Sequence, residues 1–85
     1  MPRVTVYSSG LCPYCFWAKG LLANKNVSFE EIRVDRVAGA HDEMLSKSNG
    51  QMTVPQIFID DFHIGGFDDL QAMDEAGKLD PMLAG

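Results

Sequence analysis

The chain holds two cysteines, Cys12 and Cys15, separated by Pro13 and Tyr14. A spacing of three is close to one helical turn, so two thiols at the start of a helix lie on one face and can close a disulfide with little backbone movement. Pro13 falls at the first helical position, where a missing N–H costs nothing and φ is already helical. Cys12 is then the N-cap, where free backbone N–H groups and the positive end of the helix dipole favour an anion. Such sites lower a thiol pKa from about 8.5 towards the range of about 3.5–7.5. Cys12 is therefore the expected nucleophile, and Cys15, one turn further in, the resolving thiol. A buried pair of small apolar side chains is the alternative. The C-x-x-C spacing, the proline and the strand-to-helix context favour redox chemistry.

The elements that must position this pair can be read in order. Val4-Thr5-Val6-Tyr7 is a short β-rich run, and Ser8-Ser9-Gly10 is the loop that delivers the chain to Cys12. From Pro13 to about Asn26, Tyr14, Ala18 and Leu21/Leu22 recur with helical spacing and are the expected inward stripe. Trp17 lies off that stripe, to be partly exposed near the dithiol or packed against a loop, the latter slightly favoured. Val27 to Val34 reads as a strand whose alternation slips, Val27 and Phe29 in one phase and Ile32 and Val34 in the other, which suggests a bulge or an edge position.

Asp35 is the expected cap of a helix from about Ala38 to Ser48, with Ala40, Met44 and Leu45 inward and Gly50 beyond its end. Met52-Thr53-Val54-Pro55-Gln56-Ile57-Phe58-Ile59 is apolar on both phases after Pro55, as in a strand covered on both faces, with Pro55 at the strand's start. Asp60-Asp61 turns into Phe62-His63-Ile64, an antiparallel partner. Gly65-Gly66 precedes a last helix, for which Asp68 as N-cap with Gln71 three residues later matches a capping box. Lys78 to Leu83 is a short coda with room for one more turn. The order is β-α-β-α-β-β-α, and the crossover rule makes the first two strands parallel.

Length and composition fit one α/β domain over residues 1–85, with 46% hydrophobic and 22% charged residues. No stretch approaches the roughly eighteen apolar residues of a membrane span and no apolar leader is evident, so a cytoplasmic location and no membrane partner are expected. The net charge of −5 argues against nucleic acid. Charge is uneven: residues 1–26 carry Arg3, Lys19 and Lys25 and no acid, whereas residues 27–85 carry all twelve acids against four cations. An acid-free neighbourhood spares a thiolate like-charge repulsion.

Three spaced motifs are specific together: Cys12-Pro13-Tyr14-Cys15 followed by Ala18-Lys19 and Leu21-Leu22, Thr53-Val54-Pro55-Gln56-Ile57-Phe58-Ile59, and Gly65-Gly66-Phe67-Asp68-Asp69-Leu70. With them the chain resembles a dithiol glutaredoxin over nearly its whole length, most closely the short bacterial type, with Gly77-Lys78-Leu79-Asp80 as the tail. The resemblance implies a thioredoxin-like fold, a central four-stranded mixed sheet flanked by helices, and a cis Val54–Pro55 peptide. It also implies glutathione as co-substrate. In the family the backbone at the Val54 position pairs with the cysteinyl part of that tripeptide. The N–H groups of Phe67 and Asp68, after Gly66, would hold the γ-glutamyl carboxylate, with the Asp68 side chain near the ligand amine. Tyr14, Gln51, Thr53 and Pro55 complete the implied site, Gln51 near the glycyl carboxylate. Many members carry a lysine where this chain has Ser9. Its loss should weaken glutathione binding by about 0.5–1 kcal/mol for an exposed pair, with Lys19 a candidate to compensate.

The implied reaction is thiol–disulfide exchange with glutathionylated or disulfide-bearing proteins, ribonucleotide reductase among them, by a monomer without a metal. Two alternatives keep the same residues: reduction by thioredoxin reductase, and two chains with two glutathiones sharing a [2Fe–2S] cluster through Cys12. Pro13 stiffens the loop and Cys15 competes for Cys12, which disfavours the cluster. A zinc site would need His41 and His63 as well, and their spacing is wrong for one. His41 is expected to be a surface residue.

Overall fold

The computed structural model describes residues 2–84. Its elements are β1 (Val4–Ser8), α1 (Pro13–Asn24), β2 (Glu30–Arg33), α2 (Ala40–Lys47), β3 (Gln56–Ile59), β4 (Phe62–Gly65), α3 (Phe67–Glu75) and α4 (Leu79–Ala84). The strands form one mixed sheet in the order β2-β1-β3-β4. β1 runs parallel to β2, with Tyr7 opposite Ile32, and antiparallel to β3, with Val6 opposite Ile57. β3 and β4 are antiparallel, with a register shift between Ile57 and Phe58. This is a thioredoxin-like fold, and among the described residues no helix is long and apolar enough to cross a membrane.

Strand alternation divides the core in two. Val4, Val6, Ile57 and Ile59 face one side, where Ala18 and Leu22 of α1, Leu70 of α3 and Leu79 and Leu83 of α4 close over them. Tyr7 and Phe58 face the other side and meet Met44 of α2, their rings edge-on at 5.7 Å between centroids. Tyr7 is the one phenol in this layer, and its hydroxyl donates to Glu43 Oε2 at 2.5 Å. Burial first, and the Glu43 carboxylate second, push its pKa above the ordinary range, so it stays a neutral donor.

Two local expectations hold, the edge position of the second strand and a helical turn in the coda, and others are corrected. β2 is an edge strand of four residues, and the phase slip sits at its entry: Val27 and Phe29 pack on the α1 side, Ile32 and Val34 on the α2 side. Asp35 does not cap α2. Its carboxylate is taken by Arg33 and by the Gly10 N–H, while turns over 33–40 keep the chain out of helix until Gly39, at φ 78°, opens α2. On α1 the buried positions are Cys15, Ala18 and Leu22; Tyr14 turns outward and is 53% exposed. The N-cap of α3 is Gly66, two residues before the expected Asp68, and Asp69 at the third helical position accepts the Gly66 N–H at 3.1 Å. Gly65, at φ 121°, permits this, since a side chain there would collide with the Asp69 carboxylate. The coda is a helix, α4, which buries Leu79 and Leu83 at a four-residue spacing.

Candidate functional site

Cys12 is the N-cap of α1, with extended backbone at φ −144°, and Pro13 follows in the first turn. The Cys15 N–H donates to Cys12 Sγ at 3.1 Å, so the sulfur itself caps the helix. The two cysteines are joined as a disulfide with their Cα atoms 5.2 Å apart. Cys15 is 1% exposed and Cys12 is half-buried, so the outer sulfur is the one a second molecule reaches. No acidic residue occupies the first turn of α1. A free thiol at Cys12 would face one oriented N–H and the positive end of a twelve-residue helix, both of which favour the anion.

The loop ahead of Cys12 is held from β2. Val34 N–H donates to the Ser8 carbonyl at 2.9 Å, and Gly10 N–H to Asp35 Oδ2 at 3.1 Å. Arg33 grips the same carboxylate through Nε at 2.8 Å and Nη2 at 2.7 Å. This bidentate partner first, and the Gly10 N–H among the backbone donors, lower the Asp35 pKa to about 2. A side chain at position 10 would press on the Arg33 guanidinium.

Beside the dithiol lies a cleft of about 410 Å³. Cys12 Sγ sits 3.6 Å from the carbonyl oxygen of Val54, and the Val54–Pro55 peptide is cis. All eight residues that the family resemblance places at a ligand line this cleft: Tyr14 from α1, Gln51, Thr53, Val54 and Pro55 from the loop before β3, and Gly66, Phe67 and Asp68 at the start of α3. As the first two residues of α3, Phe67 and Asp68 have N–H groups with no carbonyl of their own helix to meet. The lining contains no lysine or arginine.

Lys19 does not supply the missing cation. Its Nζ lies 2.8 Å from Glu31 Oε2 on β2, and Ser8 Oγ donates to the same oxygen at 2.6 Å. These two contacts lower the Glu31 pKa, Lys19 contributing most.

Three residues at the cleft were not named as site residues from sequence. Trp17 is 50% exposed and packs with Tyr14, 5.2 Å between ring centroids, and with Phe67, 6.0 Å, in place of a loop. Gln56 and Asp69 also line the cleft. The signal for Gln56 was its amide within an otherwise apolar strand; Asp69 is visible only once Gly66 is known to be the cap.

The two histidines are apart in role. His41 is exposed on α2, and His63 on β4 stacks on Phe58. Among the described residues no three His, Cys, Asp or Glu side chains gather as a metal site. A larger depression, about 650 Å³, runs over the other sheet face past Arg3, Tyr7, Glu43, Lys47 and Asp60. Neither lining includes a cysteine, but Val54 of the smaller cleft has its carbonyl oxygen 3.6 Å from Cys12 Sγ, which makes that cleft the one beside the dithiol.

Comparison with known proteins agrees with this geometry. The family model described as glutaredoxin matches residues 4–64. Glutaredoxin 3 of Escherichia coli strain K12 is 53% identical over 83 residues, covering 98% of this chain and 99% of that protein. A glutaredoxin of Pseudomonas aeruginosa is 48% identical over 84 residues, 99% of each. Among solved structures, the buckwheat glutaredoxin–glutathione complex superposes with a TM-score of 0.88 at 32% identity, over 98% of this chain and 77% of that one. The solution structure of glutaredoxin from Brucella melitensis gives 0.84 at 46% identity, over 98% and 89%.

Proposed function

The chain belongs to the glutaredoxin family and is a thiol–disulfide oxidoreductase, and on that premise we propose that it is a single-domain, cytoplasmic enzyme that draws its electrons from glutathione through Cys12. The observation that carries the reading is the placement of one accessible, helix-capping sulfur at the edge of a cleft with a backbone carbonyl and free helix N–H groups. A solved relative, the buckwheat protein, is a glutathione complex, which supports the choice of tripeptide.

In the proposed reaction the Cys12 thiolate attacks the glutathionyl sulfur of a protein–glutathione mixed disulfide. The S–S bond breaks, the protein leaves as thiolate and takes up a proton, and Cys12 is left bonded to glutathione. A second glutathione thiolate attacks the glutathionyl sulfur, releasing glutathione disulfide and the Cys12 thiolate. With a protein disulfide, Cys15 attacks Cys12 in the mixed intermediate, frees the protein thiol and leaves the Cys12–Cys15 bond, which two glutathiones reduce. Neither path asks for an acid–base histidine.

Within the cleft, the Val54 backbone would pair with the cysteinyl unit, and the N–H groups of Phe67 and Asp68 would take the γ-glutamyl carboxylate. Asp68 would meet the ligand amine and Gln51 the glycyl carboxylate, with Tyr14, Thr53, Pro55 and Gly66 as walls. The test is reduction of a glutathionylated peptide by glutathione, glutathione reductase and NADPH, beside a parallel assay with thioredoxin reductase. Turnover only in the second assay would overturn the glutathione reading.

A further inference from the structure

Gln56 is the one polar residue in a strand otherwise made of Ile57, Phe58 and Ile59, and it is fully buried. A buried primary amide must find partners for its donors and its acceptor. Its Nε2 donates to the Thr53 carbonyl at 3.0 Å, to Gln51 Oε1 at 3.2 Å and to Thr53 Oγ1 at 3.2 Å. Its Oε1 lies 2.6 Å from His63 Nε2. The Thr53 carbonyl can only accept, so the amide has one permissible orientation, nitrogen towards Thr53 and oxygen towards His63. His63 Nε2 must then carry a hydrogen, and the ring is held in place by its stack on Phe58, 4.7 Å between centroids.

The consequence falls on the cleft. An amide nitrogen offers no lone pair, and its two hydrogens serve three oxygens, one hydrogen being shared, so Gln51 must present its oxygen to Gln56 and the Thr53 hydroxyl can only accept from it. The Gln51 NH₂ is thereby turned away from Gln56, and the Thr53 hydroxyl hydrogen is left for another acceptor. Both side chains line the cleft and are exposed. On their own an amide and a hydroxyl can each donate or accept; here the buried amide makes donors of both. We propose that Gln56, backed by His63, is a positioning residue that sets Gln51 and Thr53 as a donor pair selective for a carboxylate of the ligand. Because no lysine or arginine lines the cleft, orientation of neutral donors carries that selection.

The proposal rests on the glutathione reading above, and its test separates the two. Steady-state kinetics with glutathione and with its glycyl ethyl ester are compared for the unmodified protein and for Gln56→Met. The unmodified protein should prefer glutathione by about tenfold or more, the scale of one hydrogen bond to a charged group. In Gln56→Met that preference should fall to about threefold or less, through a raised KM for glutathione with kcat kept. Retention of the full preference in the variant, an equal slowing with both thiols, or no preference in the unmodified protein overturns the proposal. Absence of any glutathione-supported turnover overturns the glutathione reading instead.

Should Gln56→Met not fold, side-chain amide NMR of the unmodified protein decides. The Gln51 amide protons should shift on adding glutathione and stay still with the ester; movement with both, or with neither, overturns the assignment.

Discussion

The backbone N–H of Cys15 points at Cys12 Sγ from 3.1 Å, so the residue proposed as the resolving thiol also supplies a hydrogen bond to the sulfur proposed as the nucleophile. A donor held at that distance interacts more strongly with a thiolate than with a thiol, and it acts together with the helix dipole. Alkylation of reduced Cys12 by iodoacetamide should follow a pKa below the free value of about 8.5, inside about 3.5–7.5. A rate that rises only above pH 8 would remove the electrostatic argument.

The division of labour between the thiols leads to a second expectation. Cys12→Ser should lose all turnover, because the accessible sulfur is gone. The Cys15 backbone N–H survives Cys15→Ser, as does the reach of Cys12 to the cleft, so reduction of glutathionylated peptide should persist while reduction of a protein disulfide by the dithiol path stops. The glutathione-coupled assay measures both.

Asp35 makes the loop before Cys12 sensitive to acid. Its folded pKa, about 2, lies below the ordinary aspartate value of 3.8, so folding stability rises with pH where the unfolded chain binds the extra proton. The contribution is fully present above about pH 4 and is lost as pH falls towards 2. Chemical denaturation of the native protein and of Asp35→Asn should differ at pH 6 and converge near pH 2. Gly10→Ala, which presses on the Arg33 guanidinium, should mimic part of the defect at neutral pH.

Trp17 is the only tryptophan in the chain, and it touches two rings of the cleft lining, Tyr14 and Phe67. Half-exposed as it is, its emission should change when a ligand covers Tyr14 and Phe67, and the change should be smaller in Phe67→Ala, which leaves only the Tyr14 contact. Fluorescence titration with glutathione, using the Cys12→Ser protein to exclude exchange, reads this directly.

What was legible in the sequence was mostly local. Cys12, Pro13 and Cys15 specify their own helix start through capping and a fixed φ, and the unbroken apolar run Ile57-Phe58-Ile59 specifies a strand covered on both faces. What escaped was decided by distant partners. Asp35 has a capping side chain, yet Arg33 and Gly10 claim it across the sheet edge. Lys19 has the charge to serve a ligand, yet Glu31 on the neighbouring strand takes it. Tyr14 fits the helical stripe by spacing but belongs to the outer ring cluster, because the smaller Cys15 and Ala18 are what α1 sets against the sheet. Gln56 announced a buried polar group; only the positions of Thr53 and His63 say which way its amide turns.

The missing cation is the feature most open to repair. The cleft offers a tripeptide with two carboxylates only neutral donors, and it carries two acids of its own, Asp68 and Asp69. Ser9 stands where the family often has lysine, and Lys19 is spent on Glu31 at 2.8 Å. Ser9→Lys would place a flexible positive charge on the loop that Asp35 anchors, three residues ahead of Cys12. An exposed ion pair is worth about 0.5–1 kcal/mol, which is about a two- to fivefold change in affinity. The KM for glutathione should fall by that factor at low salt, and the gain should shrink as ionic strength rises and screens the pair. A gain that persists undiminished in 1 M salt would mean that the lysine acts through packing, and no gain at all would mean that the glycyl carboxylate lies beyond the reach of position 9.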